Sequence, residues 1–138
     1  MARQKAKVGD VVAIPAGDGR TIAAKLLFLS ERNRDVALFA LTGVEVGPGK
    51  AAEISWNDFK LFLYSSVIST TRGDWPVVGH IPLSEQEAAA SKRVVAGEVW
   101  VADKALGPAS ASDLAELPQM DVLGAKLVER RAQRLLES

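Results

Sequence analysis

Two stretches of the chain carry apolar side chains at both odd and even positions. One is Thr21–Ser30, where isoleucine, leucine and phenylalanine alternate with further alanines and leucines. The other is Lys60–Thr71, where leucines alternate with Phe62 and Tyr64. Successive side chains of a strand point to opposite faces, so such a strand has to be covered on both sides. The pattern argues against a flat sheet with one face open to water and favours a strongly curved or barrel-like sheet with helices packed against it.

Turn signals divide the first two-thirds of the chain into strands. The dipeptide Asp18-Gly19 predicts a tight turn between two strands, and the polar turn Glu31–Arg34 leads into a third. These strands form a predicted meander, and further extended segments follow it. The predicted strands are Val8–Ile14, Thr21–Ser30, Asp35–Thr42, a short one at Glu53–Trp56, Lys60–Thr71, Trp75–Ile81 and Val94–Ala102.

Helices are predicted at three places. Ser84 and Glu87 have the spacing of a capping box and predict a short helix over Glu85–Ser91. One helical turn is expected at Asp113–Leu117, and an apolar stripe predicts a C-terminal helix over 121–136. The prediction is a single α+β domain over 1–138, β-rich over 8–102. Its mostly antiparallel, strongly curved or barrel-like sheet is joined by a short middle helix and the C-terminal helix.

Composition excludes several classes of protein. The 138 residues suffice for one domain, and the absence of cysteine excludes disulfide scaffolds, thiol catalysis and cysteine zinc sites. A single histidine excludes a two-histidine metal site. The 17 basic and 17 acidic residues cancel, so no strong overall field draws the chain to nucleic acid. No signal or membrane-spanning segment is recognisable, and we expect a cytoplasmic protein.

Catalytic motifs are scarce. The sequence Gly47-Pro48-Gly49-Lys50 lacks the spacing and the following hydroxyl residue of a phosphate-binding loop, and no dinucleotide fingerprint follows a strand. His80 has no nucleophile and orienting acid at a spacing that forces a catalytic triad, so a structural or surface role is expected. We predict no enzyme and no catalytic, cofactor-binding or metal-binding residues.

A few residues are candidates for a protein interface. Trp56 stands in the polar sequence Ser55-Trp56-Asn57-Asp58, and Arg72 and Asp74 flank a turn; tryptophan and arginine are enriched at interface hot spots. Structural packing is the alternative for each. The segment 94–125 is acidic, with Lys104 as its one base. The candidate contact residues are Trp56, Asp58, Arg72, Asp74, Asp113, Glu116 and Asp121.

Two stretches resemble the immunity protein 26 family of bacterial polymorphic toxin systems. The first is Lys7-Val8-Gly9-Asp10-Val11-Val12-Ala13-Ile14-Pro15 followed by Gly17-Asp18-Gly19-Arg20, which is similar to the family's opening motif. The second is Trp75-Pro76-Val77-Val78-Gly79-His80-Ile81-Pro82-Leu83, which is similar to its W-x-x-x-G-x-x-P-L segment. The resemblance extends to about Leu83, and both motifs consist of turn and core residues.

The resemblance implies a small, mostly β protein that binds and neutralises a cognate toxin domain in the cytoplasm, without catalysis. If that toxin is a nuclease, Asp113, Glu116 and Asp121 are expected to face its basic cleft. The family brings no catalytic residues or cofactor to transfer. The alternative from the sequence is a small β-barrel nucleic-acid-binding or adaptor module. The net charge of zero argues against this alternative. We expect no membrane partner.

Overall fold

The computed structural model describes residues 6–30, 35–46, 54–117 and 122–137. They form an α+β fold, which confirms the predicted class. The strands are β1 (Asp10–Pro15), β2 (Thr21–Leu29), β3 (Val36–Glu45), β4 (Phe59–Ser66), β5 (Val77–His80), β6 (Arg93–Val95), β7 (Glu98–Val101), β8 (Lys104–Pro108) and β9 (Val122–Leu123). The helices are α1 (Ile68–Arg72), α2 (Glu85–Ala89), α3 (Ala111–Glu116) and α4 (Ala125–Glu137).

The strands form two sheets. The larger has the order β5-β1-β2-β3-β4-β9, and the smaller has the order β6-β7-β8. All neighbours are antiparallel except β4 and β9, which run parallel, so the larger sheet is mixed. The predicted meander of the first three strands is present and continues into β4.

The described strands do not close into a barrel, and the larger sheet is not strongly curved. This corrects the predicted architecture. The two-sided apolar pattern of β2 has another cause, because the sheet is covered on both faces. On one face, Ile22, Leu26 and Phe39 share a core with Val128 and Ala132 of α4. The opposite face packs against other parts of the chain, through a cluster that joins Leu27, Leu38, Ala40 and Tyr64 to Leu83, Ala90 and Ala102.

Two of the predicted long strands have different boundaries or structure. The predicted strand Lys60–Thr71 ends at Ser66, and α1 follows it and stops at Gly73, whose φ of 90° is left-handed. The predicted strand Val94–Ala102 is two strands, β6 and β7. Ala96 and Gly97 between them both have positive φ, which gives a tight hairpin turn.

The predicted short strand Glu53–Trp56 lies partly outside the described residues. Its described part is irregular at Ile54 and Ser55 and enters a 3-10 turn at Trp56–Asp58. The C-terminal helix begins at Ala125, later than predicted, because Val122 and Leu123 form β9. The Gly47–Lys50 sequence lies outside the described residues.

The buried Arg93 side chain connects the small sheet to the larger sheet. The Arg93 guanidinium of β6 lies 5.0 Å from the centre of the Phe28 ring and 5.7 Å from that of Tyr64. It donates hydrogen bonds to the carbonyl oxygens of Ser91 (3.0 Å) and Ala102 (2.6 Å). The ring contacts join the small sheet to the face of the larger sheet opposite α4. The two carbonyl oxygens supply the acceptors that a buried cation needs.

No helix within the described ranges is long and apolar enough to cross a membrane.

Candidate binding groove

A β-bulge in β4 gathers three aromatic rings on one face of the sheet. Leu61 pairs with Leu41 and Phe59 pairs with Thr42, so Lys60 has no partner opposite it in β3. An extra residue of this kind re-aims the neighbouring side chain. Phe59 therefore contacts Phe62, with ring centres 5.8 Å apart.

Trp56 completes the ring cluster from the 3-10 turn that precedes β4. Its ring centre lies 5.9 Å from that of Phe59 and 5.5 Å from that of Phe62, and all three pairs meet edge to face. The Asp58 carboxylate caps the turn by accepting a hydrogen bond from the Ser55 amide at 2.8 Å. Trp56 and Phe59 are half-buried and Phe62 is 38% exposed, so the cluster presents apolar surface to solvent.

Trp56 and Phe62 of this cluster line a cavity of about 460 Å³, which we call the aromatic groove. The groove passes over the edge of β4 and so receives side chains from both faces of the sheet. Its lining residues are Leu38, Trp56, Leu61, Phe62, Leu63, Tyr64, Ala90, Lys92, Leu123 and Arg131. Leu61, Leu63, Leu123 and Arg131 belong to the α4 side, and the others lie towards α2 and the small sheet. A cavity of this volume and apolar lining is typical of a binding site.

The charged residues that line the groove are both basic. Lys92 precedes β6 and Arg131 lies on α4, so a cation stands on each side of the β4 edge. The Arg131 Nε atom is buried and has no hydrogen-bond partner among the described residues. A buried donor without an acceptor is costly, so this guanidinium favours an anionic group beside it.

Tyr64 forms the floor of the groove and is almost fully buried. Its hydroxyl group lies 3.4 Å from the carbonyl oxygen of Ser91. Burial raises the pKa of Tyr64 to about 12, against a smaller lowering by the nearby Arg93 charge. The phenol is therefore neutral under ordinary conditions and acts as packing and as a hydrogen-bond donor, not as a base.

The seven residues predicted from the sequence do not form one site. Trp56 and Asp58 precede β4, whereas Arg72 and Asp74 follow it, and the strand between them is roughly 25 Å long. The groove thus contains Trp56 but not the Arg72–Asp74 turn. Asp121 lies outside the described residues.

Two acidic residues of the segment 94–125 also have local structural roles. The Asp113 carboxylate caps α3 by accepting a hydrogen bond from the Ser110 amide at 2.9 Å, and hydrogen bonds from Ser110 lower the pKa of Asp113. Asp103 accepts a hydrogen bond from the Ser30 hydroxyl at 2.6 Å. Glu98 and Glu116 remain exposed.

His80 has an orienting acid that the sequence analysis missed. Asp10 lies opposite His80 in the pairing of β1 and β5, and its buried carboxylate is 3.0 Å from His80 Nδ1. Asp10 also accepts a hydrogen bond from the Lys7 amide at 2.9 Å. The pair ties the edge strand β5 to β1. Among the described residues, no group of three or more histidine, aspartate or glutamate side chains is placed to hold a metal ion.

Compared with protein-family models, curated proteins and solved structures, the chain has no match. The aromatic groove and the sequence resemblance are therefore the two observations that bear on function.

Proposed function

We propose that the protein is an inhibitory binding protein that acts in the bacterial cytoplasm. Its partner is a cognate toxin domain, as in the immunity protein 26 family, and it neutralises that domain by contact alone. The aromatic groove is the contact surface. The observation that carries this proposal is the partly exposed cluster of Trp56, Phe59 and Phe62 beside Arg131, since aromatic residues and arginine dominate the energetics of protein interfaces.

The rigidity of the cluster supports the proposal. Each of the three rings touches the other two, and the capped turn fixes the backbone at Trp56. A preformed apolar anchor site loses little side-chain freedom when a partner binds, which favours tight association.

The arrangement of the two motif stretches is consistent with the resemblance. The opening motif forms β1 and the tryptophan motif supplies β5, and these strands are hydrogen-bonded neighbours. Trp75 is fully buried, meets Phe39 edge to face at 5.5 Å and donates a hydrogen bond from its indole to Glu129 at 3.0 Å. These residues hold the scaffold together, as expected of positions that specify a fold and not a contact surface.

The experiment is co-expression with the candidate toxin domain of any large open reading frame that lies next to this gene. We expect the wild-type protein to co-purify with that domain and to restore growth. Phe62→Ser should weaken binding by about 30-fold or more, as for a hot-spot residue. Ile68→Ser is the matched control, because Ile68 on α1 is also 38% exposed but lies outside the groove.

The two variants distinguish the aromatic groove from the surface of α1 as the site of toxin contact. Loss of neutralisation in Phe62→Ser but not in Ile68→Ser supports the groove. Loss in Ile68→Ser alone moves the contact to α1, near Arg72 and Asp74. If the wild-type protein neither binds nor neutralises the toxin domain, the proposed function is wrong.

A nucleic-acid-binding module is the second candidate, because rings beside Lys92 and Arg131 also occur where single-stranded bases stack. The edge-to-face packing of the rings argues against it, since stacking needs open ring faces. Binding of a mixed-sequence single-stranded oligonucleotide that weakens steeply with salt would favour this candidate.

A further inference from the structure

The aromatic groove has a charge that restricts what it can bind. Resting on the proposed function, we propose that it takes an acidic segment of the partner protein. An apolar side chain of that segment packs on the ring cluster, and its carboxylates face Arg131 and Lys92. The occupant is thus of the opposite charge to the basic nuclease cleft expected from the sequence.

The acidic residues of α4 are engaged away from the groove. Glu129 accepts the Trp75 indole hydrogen bond and lies 3.8 Å from Lys126, and Glu137 accepts a hydrogen bond from Gln133. Within the described part of the chain, no ion pair is formed by Arg131. Among those residues, none neutralises its charge by an ion pair, and an acidic partner would supply the missing counter-charge.

Lys92 adds a second positive charge on the other side of the β4 edge. It also lines a smaller cavity with Asp113, whose pKa it helps to lower, so its charge is shared between the two cavities. Arg131 is the stronger anion contact, because a guanidinium can bind a carboxylate through two parallel hydrogen bonds.

The remaining lining of the groove is apolar and aromatic. A wholly charged segment would lose hydration there without replacement, and a basic segment would in addition meet two like charges. A short segment that combines an aromatic or aliphatic residue with aspartate or glutamate satisfies both parts of the site. The volume of about 460 Å³ accommodates a few side chains of such a segment.

The test is selection from a displayed random-peptide library on the immobilised full chain. We expect enriched peptides to combine an apolar residue with flanking aspartate or glutamate. Their binding, measured by fluorescence anisotropy, should weaken about tenfold or more in Arg131→Met and further in Arg131→Glu. It should also be lost in Phe62→Ser and unchanged in Ile68→Ser.

The tryptophan indole signals in a two-dimensional NMR spectrum locate the binding site and show that each variant is folded. Trp56 lines the groove, whereas Trp75 is fully buried on the α4 side of the sheet. The Trp56 signal should shift on peptide addition while that of Trp75 stays in place. An unshifted Trp56 signal would overturn the site even if a peptide binds.

Other results would overturn the proposed occupant. Enrichment of basic peptides, no enrichment, or equal affinity for Arg131→Glu each contradicts an acidic segment. A concentration-dependent dimer that Phe62→Ser abolishes would identify a second copy of the chain as the occupant. Salt-sensitive oligonucleotide binding that shifts the Trp56 signal would identify nucleic acid.

The toxin assay separates this inference from the proposed function. If Phe62→Ser abolishes neutralisation but Arg131→Met and Arg131→Glu do not, the groove binds the toxin and the acidic-segment inference fails. If acidic peptides bind as expected but the toxin is not recognised, the inference holds for the groove and the proposed partner is wrong.

Discussion

The buried ion pair between Lys25 and Glu87 offers a stability test whose outcome depends on pH. Lys25 Nζ lies 2.9 Å from Glu87 Oε2, and both side chains are almost fully buried. Burial opposes ionisation of Glu87, but hydrogen bonds from the Ser84 amide and the Lys25 ammonium outweigh it and hold the pKa of Glu87 below its ordinary value. Lys25→Met keeps most of the volume and leaves the carboxylate buried without its cation.

The expected cost at neutral pH is about 3–5 kcal/mol, the usual effect of removing one member of a buried ion pair. That is a large part of the roughly 7–20 kcal/mol typical of a chain of this length. In the wild-type protein, the stability from the ionised Glu87 is present above the unfolded pKa of about 4.5 and is lost as the pH falls through the lower folded pKa. In Lys25→Met, the ammonium is lost while burial remains, so the folded pKa of Glu87 rises above its wild-type position and the cost of the substitution shrinks as the pH falls.

Urea unfolding followed by tryptophan fluorescence at pH 7 and pH 4 measures both effects. The double variant Lys25→Met with Glu87→Gln should be more stable than Lys25→Met alone at pH 7, because it removes the charge and keeps the acceptor oxygen for the Ser84 amide. Arg20→Met breaks a half-exposed ion pair with Glu45 and should destabilise much less, since solvent screens that pair. An unfolding cost for Lys25→Met that is no larger than that for Arg20→Met, or that is equal at both pH values, would contradict this role of the ion pair.

Two further predictions concern Gly9 and Tyr64. Both glycines have positive φ, but a Cβ atom on Gly9 would lie 2.8 Å from His80 Cε1, whereas one on Gly97 would meet nothing within 4 Å. Gly9→Ala should therefore lower the free energy of unfolding by about 1–3 kcal/mol more than Gly97→Ala does. Equal thermal denaturation curves for the two variants would contradict this contact. Tyr64 is the sole tyrosine, so phenolate absorbance reports it directly. Because burial raises its folded pKa to about 12, stability should fall as the pH rises above about 10, and a phenolate signal from folded protein at pH 10 would contradict its burial.

The sequence predicted those elements whose signals are local. The capping box at Ser84 and Glu87 is present, with the Glu87 amide donating to Ser84 Oγ at 3.2 Å, and α2 follows it directly. The two-sided burial of β2 was also evident. Its cause was not, because alternation records only that a face is covered. Whether a barrel or two packed layers provide the cover depends on distant residues such as Val128 and Arg93.

The groove was only partly predictable. Trp56 stood out by its polar neighbours, but Phe62 looked like a core residue because its neighbours are leucines. Phe62 is exposed because of the bulge at Lys60 and because β9 pairs with β4 only at Tyr64 and Ser65, and neither feature has a recognisable sequence signal. Arg131 offered one clue, since it follows Val128 by three residues and so lies beside the apolar stripe of α4.

The motif residues and the aromatic groove lie towards opposite edges of the larger sheet. The motif residues lie in β1 and β5 and in the segments that flank them, at one edge of the sheet, whereas the groove lies over β4, three strands or about 14 Å from β1. None of the motif residues lines the groove. Substitution at Phe62 or Arg131 therefore leaves the contacts of Trp75 and Asp10 intact. If the proposed function holds, relatives with the same motifs can recognise different partners by changing the groove alone, and exchange of these groove residues between such relatives should exchange their toxin specificity.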